Sequence, residues 1–144
     1  MSDDLEAFNR AWEELFRATR RRRARHEATD DGPITVPQYL LLEPLLGGDA
    51  LAVRELAEQA GVQSPTATRM LDGLEKAGFV TRSPSRRDRR MVDIRLTPEG
   101  KRVVGARREQ IDDWRRRLYE AMPEADREQA ARLLRRLTEA LEGL

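Results

Sequence analysis

The sequence of 144 residues is long enough for one domain with its own core and too short for two independent ones. Its 27 basic and 26 acidic residues nearly cancel, so only the local distribution of charge can indicate a charged partner. The absence of cysteine excludes disulfides, thiolate metal ligands, cysteine nucleophiles and thiol-based sensing.

Two helices are predicted in the N-terminal part of the chain. Apolar residues recur at spacings of three and four over residues 5–16, which places them on one face of a helix that continues to about His26. Turn-forming residues at 29–33 end this helix. A second helix begins at Val36-Pro37 and runs to Leu46, where a pair of glycines closes it.

Two short helices follow, separated by only three residues. The first covers residues 51–60 and the second residues 64–77, a spacing typical of a helix-turn-helix. Gly61 supplies the left-handed conformation that a tight turn needs. Ser64 is expected to cap the second helix, with Pro65 at its first position.

The second of these helices has an apolar and a polar face. Ala67, Leu71 and Leu74 lie at i, i+4 and i+7 and are predicted to be buried. The polar face suits phosphates and base edges of DNA, although helical hairpins of proteins that bind no DNA share this spacing. The candidate DNA-binding residues here are Gln63, Ser64, Thr66, Thr68 and Arg69.

A basic β-hairpin is predicted next. Residues 79–82 form one strand, and residues 91–96 alternate apolar and polar side chains as a half-buried strand does. The segment 81–95 carries six arginines and two aspartates, a net charge of +4. This charge indicates a site for phosphate or a minor groove, the alternative being a solvated arginine-rich turn. The candidate DNA-binding residues of the hairpin are Arg82, Arg86, Arg87, Asp88, Arg89 and Arg90.

Two helices close the chain. Thr97-Pro98 is a strong helix start, a hydroxyl cap followed by proline, and this helix is expected to end near Ala121. A last helix follows Pro123. The apolar residues of these helices recur with a heptad-like spacing, which favours pairing of helices between two copies of the chain.

The predicted fold is mostly α with a small β-hairpin wing: a winged helix-turn-helix flanked by N- and C-terminal dimerisation helices. The whole chain, residues 1–144, is expected to form a single domain. Residues 35–100 would be the winged helix-turn-helix, and residues 1–34 and 101–144 the dimerisation helices.

Three segments resemble the MarR family of multiple-antibiotic-resistance-type regulators. They are Leu71–Val80 followed by Arg82, then Asp88–Arg90, then Leu96–Gly100. The Asp-x-Arg pattern followed at this distance by Leu-Thr-x-x-Gly is specific, and the order of elements matches the family over essentially the whole chain. One departure is Gly73, which stands where the family usually has a basic residue.

The resemblance implies an obligate homodimer with interleaved first and last helices, in which the helix that begins at Ser64 enters the major groove. It implies that Arg90 enters the minor groove, that Arg82 lies near the phosphates, and that Asp88 holds the wing's arginines in place. We therefore expect Asp88 to pair with an arginine side chain of the wing or of the neighbouring helix.

Four aromatic residues lie on the helices that surround a cleft in the resembled family: Trp12, Phe16, Tyr39 and Trp114. They either belong to the core or line an effector site. An open cleft would suit a small aromatic or amphipathic anion, with a nearby arginine as its counter-ion.

The remaining features are an arginine run with two possible roles and several absences that exclude other functions. The run Arg17–Arg25 either forms a solvated face that pairs with acids of the partner subunit or binds phosphate or another anion. His26 is the only histidine, so no metal and no cofactor are predicted. No nucleophile motif or glycine-rich phosphate loop indicates an enzyme. No basic leader and no apolar stretch of about 20 residues are present, which predicts a cytoplasmic protein.

The sequence thus predicts a sequence-specific regulator of transcription. It would bind double-stranded DNA as a homodimer on a pseudo-palindromic operator and act as a ligand-responsive repressor. The alternative is a winged-helix module that contacts other proteins and reads no DNA. The six arginines of the hairpin argue against that alternative.

Overall fold

The computed structural model describes residues 2–29 and 32–144. Of the turn predicted at residues 29–33, Asp30 and Asp31 lie outside the described residues. The elements in chain order are α1 (Asp3–Thr29), α2 (Val36–Leu42), a 3₁₀-helix (Glu43–Gly47), β1 (Leu51–Ala52), α3 (Val53–Ala60), α4 (Ser64–Lys76), β2 (Val80–Pro84), β3 (Val92–Leu96), α5 (Pro98–Ala121) and α6 (Glu124–Glu142).

The second helix is shorter than predicted. α2 begins with a capping box, in which the hydroxyl of Thr35 accepts from the N–H of Gln38 (3.3 Å) and Oε1 of Gln38 accepts from the N–H of Thr35 (2.8 Å). It ends at Leu42 rather than Leu46, and the 3₁₀-helix follows. Pro44 explains the change, because it has no N–H to donate and its ring clashes with the carbonyl four residues earlier.

α3 and α4 form the predicted helix-turn-helix. Gly61 ends α3 in the left-handed conformation, with φ of 67°. The prediction of a helix over residues 51–60 is wrong at its start, because Leu51 and Ala52 form β1, which pairs with Ile94 and Asp93 of β3. This partner lies more than 40 residues away, so local sequence does not reveal it.

The predicted cap of α4 is also wrong. The helix already includes Ser64, and Gln63 is its N-cap without a side-chain hydrogen bond. Pro65, at the second helical position, has no N–H that needs an acceptor. One of the two N–H groups that a cap usually serves is therefore missing.

The hairpin forms the centre and one edge of a three-stranded sheet with the order β1-β3-β2. Val80 pairs with Leu96, and Pro84 pairs with Val92, so β2 extends two residues beyond its predicted end. The predicted alternation holds where the sheet covers the core, since Ile94 and Leu96 are buried. Val92, close to the tip, is 42% exposed.

One hydrophobic core lies among α2, the 3₁₀-helix, α3, α4, the sheet and the first part of α5. Its largest fully buried side chains are Leu41, Leu42, Leu45, Leu56, Leu71, Leu74, Val80, Ile94 and Val104. Burial of each contributes about 1.5–3 kcal/mol relative to exposure. This core holds α4 and the hairpin in fixed positions.

The start of α5 is joined to the turn between α4 and β2. The hydroxyl of Thr97 accepts from the N–H of Gly100 (3.0 Å) and donates to the carbonyl of Gly78 (2.6 Å). A Cβ atom on Gly100 would lie 2.0 Å from the carbonyl oxygen of Phe79, so only glycine fits this close approach. The helix therefore begins where predicted and is packed directly on that turn.

The outer helices bury little within one chain. α6 has no buried residue, and the described side chains of α1 are exposed apart from the partly buried Trp12. The large apolar side chains exposed on α1, α5 and α6 are Leu5, Phe8, Leu15, Phe16, Leu118, Tyr119, Leu133, Leu134 and Leu141. No helix in the described part of the chain combines the length and apolar character of a membrane span.

Candidate nucleic-acid interface

α4 presents its polar face to solvent. Ala67, Leu71 and Leu74 point into the core and are at most 2% exposed. The predicted contact residues around the N-terminal half of α4 are all exposed: Gln63, Ser64, Thr66, Thr68 and Arg69. Because the first N–H groups of a helix have no acceptor within it, this end of α4 also favours a phosphate.

The tip of the wing has a defined hydrogen-bonded backbone. The N–H of Ser85 donates to the carbonyl of Met91 (2.9 Å), and the N–H of Met91 donates to the carbonyl of Asp88 (3.0 Å). The buried hydroxyl of Ser85 accepts from the N–H of Arg87 (3.2 Å). The tip exposes four arginine side chains: Arg86, Arg87, Arg89 and Arg90.

Asp88 shapes the turn rather than pairing with an arginine side chain. Its Oδ1 accepts from the backbone N–H of Arg90 (3.0 Å). In the described part of the chain its carboxylate forms no ion pair. The prediction that Asp88 pairs with an arginine side chain is therefore wrong. An aspartate bonded to the N–H two residues ahead closes a tight turn, and this fixes the backbone from which Arg90 projects.

The guanidinium of Arg82 contacts α4. Its Nη2 lies 2.7 Å from Oδ1 of Asp72, and its Nη1 lies 3.2 Å from Oε1 of Glu75. Nη2 also donates to the carbonyl of Thr68 (3.4 Å). The side chain is 24% exposed. These bonds place β2 beside α4, so the wing arginines and the polar face of α4 belong to neighbouring elements.

A cavity of about 300 Å³ lies among α1, α2 and α5. Tyr39 and Trp114, two of the four predicted cleft residues, line it. Trp12 and Phe16 do not, which corrects the prediction. They lie nearer the N-terminus of α1, where the Trp12 ring is 5.8 Å from Phe8 and 4.8 Å from Phe16 between centroids.

Cationic groups line the cavity beside the apolar ones. The guanidinium of Arg22 lies 4.5 Å from the ring centroid of Trp114. Arg107 is 6% exposed and donates to Oε1 of Gln110 (3.3 Å). The sequence interpretation missed Arg107, although Arg107, Ile111 and Trp114 share one face of α5 at i, i+4 and i+7. Guanidinium groups beside apolar walls suit an anion with an apolar body.

The other polar groups of the cavity refine this description. Burial raises the pKa of the Tyr39 phenol, and the carboxylate of Glu43 raises it further. Tyr39 is therefore neutral at physiological pH and presents a hydroxyl that can donate. Of the run Arg17–Arg25, Arg17 pairs with Glu13 (2.9 Å), while Arg22 and Arg23 line the cavity. The described residues include no group of three His, Asp or Glu side chains placed to hold a metal ion.

Comparison with known proteins identifies the family. The MarR family model matches residues 34–92, which run from Ile34, just before α2, to Val92, the first residue of β3. The HTH-type transcriptional regulator YhbI of Bacillus subtilis (strain 168) is 31% identical over 110 residues, which are 76% of this chain and 71% of that relative. The chain belongs to the MarR family.

Solved structures extend the MarR likeness to the whole fold. A MarR family protein from Bacillus stearothermophilus is 27% identical with a TM-score of 0.77, and the match covers 99% of both chains. Streptococcus pneumoniae FabT, solved in complex with DNA, has a TM-score of 0.80 at 18% identity over 96% of this chain and 98% of its own, and shares the fold. The chain spans about half the length of several other curated relatives that it matches.

MarR membership bears on two predictions. The relatives are named as transcriptional regulators, in agreement with the prediction that the chain is not an enzyme. The departure at Gly73 is not imposed by packing, because a Cβ atom there would meet nothing within 4 Å.

Proposed function

We propose that this MarR protein is a cytoplasmic, sequence-specific regulator of transcription that binds double-stranded DNA. The observation that carries the proposal is the placement of four exposed wing arginines on an element next to the exposed polar face of α4. A helix face can read base edges in a major groove, and a basic wing can enter the adjacent minor groove. FabT, which shares this fold, was solved in complex with DNA.

The proposed DNA-binding unit is a homodimer. Exposed apolar side chains on α1, α5 and α6 support this, because a second copy of the chain could cover them with the same faces. A two-fold dimer carries two copies of α4, each facing one half-site. The operator would then be pseudo-palindromic, with half-sites about one helical turn, roughly 10 bp, apart.

The proposed regulation is release by a small ligand. The cavity supports a small aromatic or amphipathic anion as the ligand, with a nearby arginine such as Arg22 as its counter-ion. α5 lines the cavity and is joined at its start, through Thr97 and Gly78, to the turn that follows α4. A ligand that favours another position of α5 would change the spacing of the two α4 helices and lower DNA affinity. In the unliganded state the dimer would act as a repressor by covering its operator.

The experiment that tests the DNA-binding proposal is removal of Arg90 from the wing. Sequencing of DNA fragments that copurify with the protein supplies a cognate duplex. Binding to a duplex of random sequence is measured for comparison. Arg90→Ala is expected to weaken binding to both. The slope of log K against log salt should become shallower by about 0.9 for each phosphate charge no longer neutralised, up to about two units per dimer.

The matched control is Arg102→Ala, which removes an exposed arginine of α5 that is paired with Glu99. Its affinity and salt slope should equal those of the parent. If the parent binds no duplex in a salt-dependent manner, the DNA-binding proposal fails. The alternative, a winged-helix module that contacts other proteins, would then remain.

A further inference from the structure

The Arg82 side chain joins the wing to α4. It extends from β2 and contacts three groups on α4: the carboxylates of Asp72 (2.7 Å) and Glu75 (3.2 Å) and the carbonyl of Thr68 (3.4 Å). All three acceptors lie on neighbouring turns of that helix. We call this set of contacts the Arg82 clamp.

The strand register explains the direction of Arg82. Arg82 pairs with Ile94 across β2 and β3, and paired residues of neighbouring strands point to the same face of a sheet. Ile94 is fully buried in the core. Arg82 therefore projects from the face that covers the core and its helices, and its guanidinium reaches the edge of α4.

The chemistry of the clamp requires arginine. A planar guanidinium has five donors in fixed directions, so it can serve two carboxylates and a carbonyl at once, whereas a lysine ammonium acts as a point charge. The two carboxylates carry more negative charge than one guanidinium cancels. Arg82 together with Asp72 and Glu75 is thus a net negative group, which is poorly suited to attract a phosphate.

We infer that Arg82 is a positioning residue that fixes the orientation of the wing relative to α4 and makes no contact with DNA phosphate. This inference rests on the proposed function and deepens it. Asp72 and Glu75 then place negative charge on the proposed reading helix because they hold Arg82. Simultaneous entry of α4 and the wing into adjacent grooves depends on the angle between them, and the clamp maintains that angle.

The variant Arg82→Ala distinguishes a residue that positions the wing from one that contacts a DNA phosphate. Loss of the clamp should weaken binding to the cognate duplex about tenfold, because wing and helix must then be ordered on docking. The salt slope should remain that of the parent. A phosphate contact predicts instead a slope shallower by about 0.9 per contact, or about 1.8 per dimer.

Asp72→Ala gives a test of opposite sign. Removal of a carboxylate from a DNA-facing helix should tighten binding if only charge matters. The clamp predicts weaker binding, because Arg82 loses the partner at 2.7 Å. The double variant Arg82→Ala/Asp72→Ala should bind no more weakly than Arg82→Ala alone, since both changes break the same interaction.

Thermal stability is measured for each variant, and DNA affinity is measured well below its Tm. A bond that only stabilises the fold would lower Tm and leave the affinity of the folded protein at the parent's value. Should Arg82→Ala not fold, Arg82→Lys keeps the charge but not the geometry, and it should show reduced affinity at an unchanged slope. Arg102→Ala serves again as the control.

The outcomes distinguish the inference from the function on which it rests. A shallower salt slope for Arg82→Ala, tighter binding by Asp72→Ala, or parental affinity for the folded variants overturns the clamp while DNA binding stands. Failure of both the parent and Arg102→Ala to bind any duplex overturns the proposed function, and the role of the clamp with it.

Discussion

Gly73 and Gly100 both lie inside helices but have opposite surroundings. Gly73 is exposed on α4, and a Cβ atom there meets nothing within 4 Å. Gly100 is in the first turns of α5, and its Cβ atom would lie 2.0 Å from the backbone oxygen of Phe79. Glycine at position 73 only weakens α4, whereas glycine at position 100 permits the close contact between α5 and the backbone of Phe79.

Substitution of these two glycines by alanine should change the stability of the protein in opposite directions. Gly73→Ala should raise the free energy of unfolding by about 1 kcal/mol, the difference in helix propensity between the two residues. Gly100→Ala should lower it by about 1–3 kcal/mol or more, because the backbone must move to admit the methyl group. Urea unfolding at one fixed protein concentration measures both. Changes of the same sign in the two variants would contradict the packing described for α5.

At the scale of elements, one side chain of α6 is bonded to the end of α5. Arg127 of α6 donates from Nε to the carbonyls of Tyr119 (3.2 Å) and Met122 (3.2 Å), and from Nη2 to the carbonyl of Glu120 (3.1 Å). Its guanidinium also lies 4.7 Å from the Tyr119 ring centroid. The last carbonyls of a helix have no donor within it, so Arg127 caps α5 while it anchors α6.

Replacement of Arg127 should therefore act on assembly. Arg127→Met keeps an unbranched, largely apolar side chain and removes the donors, which leaves α6 free to change its angle to α5. We expect the proposed dimer to dissociate at least tenfold more readily, as measured by sedimentation equilibrium. Arg132→Met removes an exposed arginine of the same helix that pairs with Glu128, and it should behave as the parent. Equal dissociation constants for the two variants would show that the contacts of Arg127 with the end of α5 do not control assembly.

At the scale of the whole molecule, apolar surface is divided unequally. Residues from Ile34 to Val104 supply the hydrophobic core, whereas α1 and α6 carry large exposed side chains such as Phe8, Leu134 and Leu141. Exposed apolar side chains in such number favour an interface. The winged helix-turn-helix is therefore stabilised within one chain, and in the proposed homodimer the outer helices would be covered by a second chain.

The proposed dimer predicts a stability that depends on concentration. Because unfolding of a dimer releases two chains, tenfold dilution removes about 1.4 kcal/mol of stability per dimer. Tm should fall by a few degrees for each tenfold dilution, as followed by circular dichroism over a hundredfold range of concentration. A constant Tm, together with a folded monomer in sedimentation at micromolar concentration, would contradict the dimer and its two half-sites.

Local features of the fold were determined by the sequence alone. Apolar spacing located the helices, Gly61 located the turn, and Thr97-Pro98 located the start of α5. The MarR family followed from the segments between Leu71 and Gly100. These signals are short-range, because caps, turns and amphipathic faces depend on residues within about one or two turns of each other.

Only the tertiary structure decided what depends on packing between distant segments. Leu51 became a strand residue because β3 offers it a partner, and Arg82 turned inward because α4 presents two carboxylates beside it. Arg107 became part of a cavity because α1 and α2 lie against its face of α5. Each of these contacts joins separate elements, so its energy depends on how the elements pack. A local pattern such as the shared face of Arg107, Ile111 and Trp114 does not show which element packs against it.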